Sequence, residues 1–146
     1  MKRNIAVLII LSMVIGLAGG CSGSNGDSNG GIDAGTKVEV EGGAYWDLTP
    51  AELYNALEED MFVFQYDVVQ LGNIPGTDLF IQYPNIEANL SVVPSDKSSI
   101  IIVYCSVGAK SVEAAQYLVS QGYTSVYNLT GGTAAWRNQG YPVVAG

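Results

Sequence analysis

Two cysteines are the candidates for covalent chemistry in this 146-residue chain, which contains no histidine. Cys105 follows an apolar run at residues 100–104 and precedes a turn of small residues that leads to Lys110. Without an imidazole, a Cys–His pair, a Ser–His–Asp triad and a histidine metal site are all excluded. If Cys105 is a nucleophile, its own surroundings must therefore stabilise the thiolate.

The residues that follow Cys105 offer groups that stabilise a thiolate, and we take them as the candidate active-site loop: Ser106, Val107, Gly108, Ala109, Lys110 and Ser111. Small residues let successive backbone N–H groups point inward as an anion-binding nest, and the N-terminus of a following helix adds partial positive charge. With the Lys110 cation, such surroundings lower a cysteine pKa from about 8.5 to about 3.5–7.5. The alternative is a small buried cysteine that packs as a hydrophobe.

The elements on either side of Cys105 are predicted to be a strand and a helix. The apolar run at residues 100–104 does not alternate with polar residues, which indicates a strand buried on both faces of a parallel sheet. Apolar residues then recur at helical spacing and predict a helix over 111–121, ended by Gly122. Cys105 would lie beyond the carboxyl end of its strand, where open α/β sheets bind their ligands.

Further elements complete an α/β pattern. Thr49, Pro50 and Glu52 form a capping box with proline at the first helical position, which predicts the start of a helix. Asp67 follows a predicted strand at 61–64, and it either orients the active loop, caps a neighbouring turn or is solvated. The other predicted elements are a strand at 79–81, a short helix at 86–93, a strand at 123–129 and a short helix at 133–139. This alternation favours an open parallel sheet of four or five strands flanked by helices.

The first 43 residues are predicted to export and tether the domain. Two basic residues and an apolar segment indicate a signal peptide over residues 1–20. Cys21 closes the sequence Leu17-Ala18-Gly19-Gly20-Cys21, which resembles the lipobox of bacterial lipoproteins, in which the cysteine is acylated. The alternative is an ordinary signal peptide that leaves Cys21 free. We expect a lipidated Cys21 and a Gly/Ser/Asn-rich tether over 21–43, with the folded domain at 44–146.

This arrangement predicts an exported, periplasm-facing lipoprotein held at a membrane by its lipid anchor. The outer membrane is favoured over the inner one, because Ser22 stands where an inner-membrane retention signal has aspartate. Without Lys2 and Arg3, four cations oppose fourteen acids, a net charge of −10. This charge argues against a nucleic-acid partner, and it repels small anions unless local donors hold them.

The second half of the domain resembles the single-domain rhodanese family. The resemblance consists of the Cys105 turn and its helix, followed in order by Gly122-Tyr123, Gly131-Gly132, Ala135-Trp136 and Gly140-Tyr141-Pro142-Val143. Upstream, Ile74-Pro75-Gly76 resembles a turn of the family. The chain departs from the family at Val69, where the family has arginine, and at Asn73 and Thr77, where it has histidine and alanine.

The resemblance implies a rhodanese-like fold, with helices on both faces of the sheet, and a sulfurtransferase that needs no cofactor or metal. Cys105 would take the outer sulfur of thiosulfate or a similar small anionic donor as a persulfide, and would pass it to a thiol or cyanide. Backbone N–H groups of residues 106–110 would stabilise the anionic sulfur, and Lys110 would attract the donor.

Two other functions remain open at this point. The altered first half suggests a non-catalytic sulfur-carrier or docking module in the periplasm. A cysteine phosphatase is disfavoured, because such enzymes resemble this topology but place one more residue between the cysteine and an arginine. Here four residues separate Cys105 from Lys110.

Overall fold

The computed structural model of the chain describes residues 31–70 and 72–146. The predicted signal peptide, Cys21 and residues 22–30 of the predicted tether lie outside these residues and stay predictions. Within the described residues, no helix is both long enough and apolar enough to cross a membrane.

The described residues form a mixed sheet with helices packed against it. Its strands are β1 (Thr36–Val40), β2 (Gly43–Leu48), β3 (Phe62–Asp67), β4 (Leu79–Gln82), β5 (Ile101–Tyr104) and β6 (Val126–Leu129). They lie in the order β1-β2-β6-β5-β3-β4, with β1 antiparallel to β2 and the other neighbouring pairs parallel. The helices are α1 (Pro50–Ala56), α2 (Ala109–Ser120) and α3 (Gly132–Asn138), with a 3-10 helix at Glu87–Val92. The predicted α/β class is confirmed.

Two hydrophobic cores lie on opposite faces of the sheet, because successive residues of a strand point to opposite sides. Alternate residues of β5 enter the core under α2, which includes Leu118. The remaining residues of β5 enter the core under α1 and α3, which includes Leu53 and Trp136. Helices therefore cover both faces, and the end of the fully buried strand β5 is held from two sides.

The sheet has six strands rather than the predicted four or five, and the folded part begins before residue 44. Strand β1 and the first residue of β2 lie within residues 21–43, which the sequence analysis assigned to the tether. This hairpin was missed because β1 is an edge strand with mostly exposed residues, and only Val38 and Val40 pack against the α2 core. Gly42, with φ of 90°, makes the turn to β2.

Local signals located the helices near the active loop to within two residues. The capping box of α1 is present, with the Glu52 N–H donating to Thr49 Oγ1 at 3.3 Å and the Thr49 N–H donating to Glu52 Oε2 at 2.8 Å. Helix α2 begins at Ala109 rather than at residue 111, so Lys110 and Ser111 lie in its first turn. The predicted helix at 86–93 is a 3-10 helix.

Candidate active site

Cys105 lies directly after β5, between the carboxyl end of that strand and α2, and it is buried. Its Sγ accepts a hydrogen bond from the Gly108 N–H at 3.0 Å and one from Ser111 Oγ at 3.5 Å. Burial acts to raise the pKa of the Cys105 thiol, but donors from Ser111, Val107 and Gly108 outweigh it, so the pKa lies below its ordinary value. The thiolate is thus stabilised without an imidazole.

The loop places its residues differently around the sulfur. Gly108, with φ of 94°, adopts a left-handed conformation that glycine tolerates best, and its N–H faces Cys105. Ser111 is buried beside the sulfur, whereas the Val107 side chain is exposed to solvent, as is Ala109. The Gly108 N–H and the Ser111 hydroxyl therefore bond to the sulfur at the distances given above, and the backbone N–H groups of Val107 and Ser111 also help to lower its pKa.

Asp67, at the end of β3, holds the loop from the side opposite α3. Its Oδ2 accepts a hydrogen bond from the Ser106 N–H at 2.7 Å and another from the Ser106 hydroxyl. Its Oδ1 accepts from the Val68 N–H at 2.7 Å and forms an ion pair with Lys110 Nζ at 3.0 Å. Of the three readings of Asp67 given above, loop orientation is the one that these contacts support.

The charge of Asp67 is held by its partners. Burial acts to raise the pKa of Asp67, but hydrogen bonds from Ser106, Val68 and Lys110 outweigh it and lower the pKa from 3.8 to about 2. The hydrogen bond to Asp67 likewise raises the pKa of Lys110. Both groups are therefore charged at neutral pH, and together they tie β3 to the first turn of α2.

Two contacts differ from the expectation drawn from the resemblance. The Ser106 N–H donates to Asp67 and not to the sulfur, so it positions the loop rather than the anion. The Lys110 ammonium is paired with Asp67, although its charge still acts on Cys105. An incoming anion would meet a lysine whose charge is already balanced.

The N-terminus of α3 holds the loop from the second side. The Thr133 N–H and hydroxyl both donate to the Cys105 carbonyl, at 2.9 and 3.2 Å, and the Ala134 N–H donates to the Ser106 carbonyl at 2.9 Å. A Cβ at Gly132, whose φ is 58°, would overlap the Cys105 carbonyl. The paired glycines therefore allow α3 to approach the loop backbone closely, a role that the sequence analysis did not assign, and it did not single out Thr133.

A third support lies beneath the cysteine. The Tyr104 hydroxyl accepts the Ile74 N–H at 3.2 Å and lies 2.8 Å from Thr77 Oγ1. Thr77 Oγ1 itself donates to the Ile74 carbonyl at 2.7 Å, so the tyrosine is the donor to Thr77. This network joins the Ile74–Thr77 turn to the residue before Cys105. Thr77 stands where the rhodanese family has alanine, and it supplies a hydroxyl that alanine lacks.

The described residues contain no cluster of three His, Cys, Asp or Glu side chains that could hold a metal ion. The site consists instead of a thiol, its N–H and O–H donors, and an ion pair between the buried Asp67 and the partly exposed Lys110. These groups suit a thiolate nucleophile, or the carrier of an anionic sulfur species, at the end of a central strand.

Comparison with known proteins agrees with this arrangement. The family model described as the rhodanese-like domain matches residues 46–139, more than half of the chain. The chain belongs to the rhodanese-like family. This match confirms the family resemblance found in the sequence.

Individual relatives match shorter stretches. A sulfurtransferase of Allochromatium vinosum is 43% identical over 60 residues, which is 41% of this chain and 54% of that protein. The thiosulfate sulfurtransferase GlpE of Coxiella burnetii is 44% identical over 43 residues, 30% of this chain and 40% of that protein. A rhodanese-like domain protein from Staphylococcus aureus has a solved structure with a TM-score of 0.50 and 32% identity, covering 62% of this chain and 89% of its own. The chain thus spans about half or less of the two curated relatives.

Proposed function

We propose that this protein is a sulfurtransferase in which Cys105 carries sulfane sulfur as a persulfide. The observation that carries the proposal is the thiol at the end of β5, with the Gly108 N–H 3.0 Å and the Ser111 hydroxyl 3.5 Å from its sulfur. These donors favour the thiolate, which is the nucleophilic form of cysteine. The relatives named as sulfurtransferases support the same reaction class.

The reaction proceeds by two displacements at sulfur. The Cys105 thiolate attacks the outer sulfur of thiosulfate or a similar donor, the S–S bond of the donor breaks, and sulfite leaves with the electron pair. The outer sulfur of the resulting persulfide is then attacked by cyanide, which leaves as thiocyanate, or by a thiolate, which leaves as a persulfide. The Cys105 thiolate is regenerated in both cases, so the kinetics are ping-pong and no general base is needed.

The rigid loop supplies what this chemistry needs from the protein. Donors that are already in place stabilise the anionic sulfur without reorganisation during the reaction. Asp67 and the N-terminus of α3 fix the loop backbone from two sides. Because Cys105 is buried, we expect the donor to displace the groups that cover the sulfur before attack.

A non-catalytic sulfur carrier or docking module is the second candidate. The ion pair of Lys110 with Asp67 and the burial of Cys105 favour it, since both features reduce the attraction and access of a free donor. Such a module would hold a persulfide delivered by a partner but would turn over thiosulfate and cyanide poorly on its own. Steady thiocyanate production by the purified protein would argue against this candidate.

The test is the intact mass of the full chain in a Cys21→Ala background, where Cys105 is the one remaining cysteine. After treatment with thiosulfate, the protein should gain about 32 Da, one sulfur atom, and lose it with cyanide or thiol. The matched Cys105→Ser variant should show no gain. If the parent protein gains no sulfur from thiosulfate, from organic thiosulfonates or from persulfides, the proposed function is wrong.

We also propose that the protein is exported as a lipoprotein through acylation of Cys21, as the lipobox-like sequence predicts, with the outer membrane favoured. Membrane fractionation of the wild type and of Cys21→Ala tests this. The wild type should sediment with membranes, and the variant should not. A variant that stays in the membrane fraction would contradict anchoring through Cys21.

A further inference from the structure

The charges around the Cys105 loop do not favour a doubly charged donor. The loop over residues 105–111 contains a single cation, Lys110, and that cation lies 3.0 Å from the Asp67 carboxylate. The pair is neutral as a whole, so the reactive thiolate leaves a net negative charge. Glu113, one turn further along α2, accepts a hydrogen bond from Tyr83 and adds another negative charge on this side. A dianion such as thiosulfate would be repelled about twice as strongly as a monoanion.

The Cys105 loop and the segment after Asp67 also expose apolar side chains. Val107 in the loop is 62% exposed, and Val68 and Val69, directly after Asp67, are 49% and 56% exposed. Asp67 accepts hydrogen bonds from both the Val68 N–H and the Ser106 N–H, so these valines belong to two adjacent segments beside the thiol. Scattered exposed valines carry no meaning, but exposed valines on two adjacent segments, one of them the Cys105 loop itself, can contact an apolar part of a substrate.

We propose that the preferred sulfur donor is a monoanion with an apolar group, such as an organic thiosulfonate, rather than thiosulfate. This inference rests on the proposed function and names its donor class. In the first step, the Cys105 thiolate forms a bond to the outer sulfur of R–SO₂–S⁻, the S–S bond of the donor breaks, and the sulfinate R–SO₂⁻ leaves with the electron pair. One anion enters and one leaves, so the site never holds a donor of charge −2.

The first experiment compares three donors: thiosulfate, methanethiosulfonate and benzenethiosulfonate. The full chain in the Cys21→Ala background is mixed with each donor, and the second-order rate of persulfide formation is followed by quenched mass spectrometry. Benzenethiosulfonate should react fastest, at least about tenfold faster than thiosulfate. Sulfinate and sulfite differ as leaving groups, so the donor comparison is combined with two measurements that depend on charge alone.

Ionic strength gives the sign of the local field. Repulsion between like charges is screened by salt, so the rate with thiosulfate should rise as NaCl increases. The logarithmic slope for either monoanionic donor should be about half as steep. A rate with thiosulfate that falls with added salt would show that the site attracts the dianion, and would overturn the inference.

Two substitutions at one exposed position separate charge from apolar contact. Val107→Gln removes the apolar side chain without adding charge, and Val107→Lys adds a cation of similar reach. Relative to Val107→Gln, the lysine variant should react about tenfold faster with thiosulfate and about threefold faster with the monoanions. Relative to the wild type, Val107→Gln should slow persulfide formation with benzenethiosulfonate more than with methanethiosulfonate, because the aromatic donor has the larger apolar group to contact the valine. Equal effects on all three donors would overturn the inference.

The outcomes for the two proposals are distinct. If no donor adds about 32 Da to Cys105, the sulfur-transfer function itself fails. If all donors load the cysteine but thiosulfate is fastest and slows with salt, sulfur transfer stands and the inferred donor class is wrong.

Discussion

Replacing Asp67 with asparagine should destabilise the protein by about 2 kcal/mol at pH 7. The pKa of Asp67 is lowered from 3.8 to about 2 in the folded state, and each pKa unit corresponds to about 1.4 kcal/mol. Asparagine keeps the size of the side chain but loses its charge. Its amide nitrogen would also face one of the donors that now bind the Asp67 carboxylate, so that hydrogen bond would be lost. The loop should also lose its fixed position, so persulfide formation should slow as well.

The pH dependence separates this electrostatic effect from a loss of packing. Because the folded-state pKa of Asp67 lies below its unfolded-state pKa, the stabilisation is complete well above pH 3.8 and is lost as the pH falls towards 2. About half of the difference between the wild type and Asp67→Asn should therefore be gone at pH 3. Urea unfolding followed by tryptophan fluorescence at pH 7 and pH 3 gives both values.

Asp96→Asn is the matched control. Asp96 also accepts hydrogen bonds from a serine, through the Ser98 N–H at 2.9 Å and its hydroxyl at 2.7 Å, but it is exposed and precedes β5 instead of following it. Because Asp96 is exposed to solvent, this control should change the unfolding free energy much less than Asp67→Asn does, and it should leave the persulfide rate unchanged. The reasoning about Asp67 is refuted if Asp67→Asn lowers the free energy of unfolding no more than the control does. It is also refuted if Asp67→Asn lowers that free energy by the same amount at pH 3 as at pH 7.

Three further substitutions test the other supports of the cysteine. Gly132→Ala should lower the free energy of unfolding by more than about 2 kcal/mol, because the added Cβ would overlap the Cys105 carbonyl. The control Gly140→Ala has no atom within 4 Å of the added Cβ and should lose only about 1 kcal/mol to backbone strain. Urea unfolding of both variants measures the difference. Ser111→Ala should raise the pKa of the Cys105 thiol, so that the pH profile of its alkylation by iodoacetamide shifts to higher pH. The control Ser120→Ala, whose hydroxyl donates to the Tyr117 carbonyl, should not shift this profile. Equal pH profiles for the two variants would contradict a role for the Ser111 hydroxyl. Tyr104→Phe should lower the free energy of unfolding by about 1–3 kcal/mol, because the buried Ile74 N–H and the partly buried Thr77 hydroxyl lose a hydrogen bond. An unchanged unfolding midpoint would contradict that network.

The strand and helix around Cys105 were predictable because their signals are local. An unbroken apolar run and a helical period are properties of consecutive residues, and the capping box of α1 is complete within four residues. The edge strand β1 gave a weaker local signal. Lys37-Val38-Glu39-Val40 alternates charged and apolar residues, as a half-buried strand does, but the alternation covers only four residues next to a polar segment, and it was overlooked.

The contacts that hold the active loop could not be predicted, because they join residues far apart in the chain. Asp67 and Ser106 are 39 residues apart, and Thr133 lies 28 residues after the cysteine whose carbonyl it binds. The sequence shows only that Asp67 follows a strand and that two glycines precede a short helix. Which strand ends meet is decided by the sheet order, where β3 and β6 flank β5, and that order is a property of the whole fold.

One cation could both stabilise the thiolate and help to position the loop, but in this site different groups have these two roles. The Gly108 N–H and the Ser111 hydroxyl stabilise the thiolate, and Lys110 stabilises the carboxylate that positions the loop. Neutral donors stabilise an anion without adding a net charge that would hold it or its products strongly. In the proposed reaction a persulfide is formed and then given up, so a site of this kind would keep the carried sulfur available to an acceptor. The same neutrality is the reason that the charge of the donor should decide how fast sulfur is loaded.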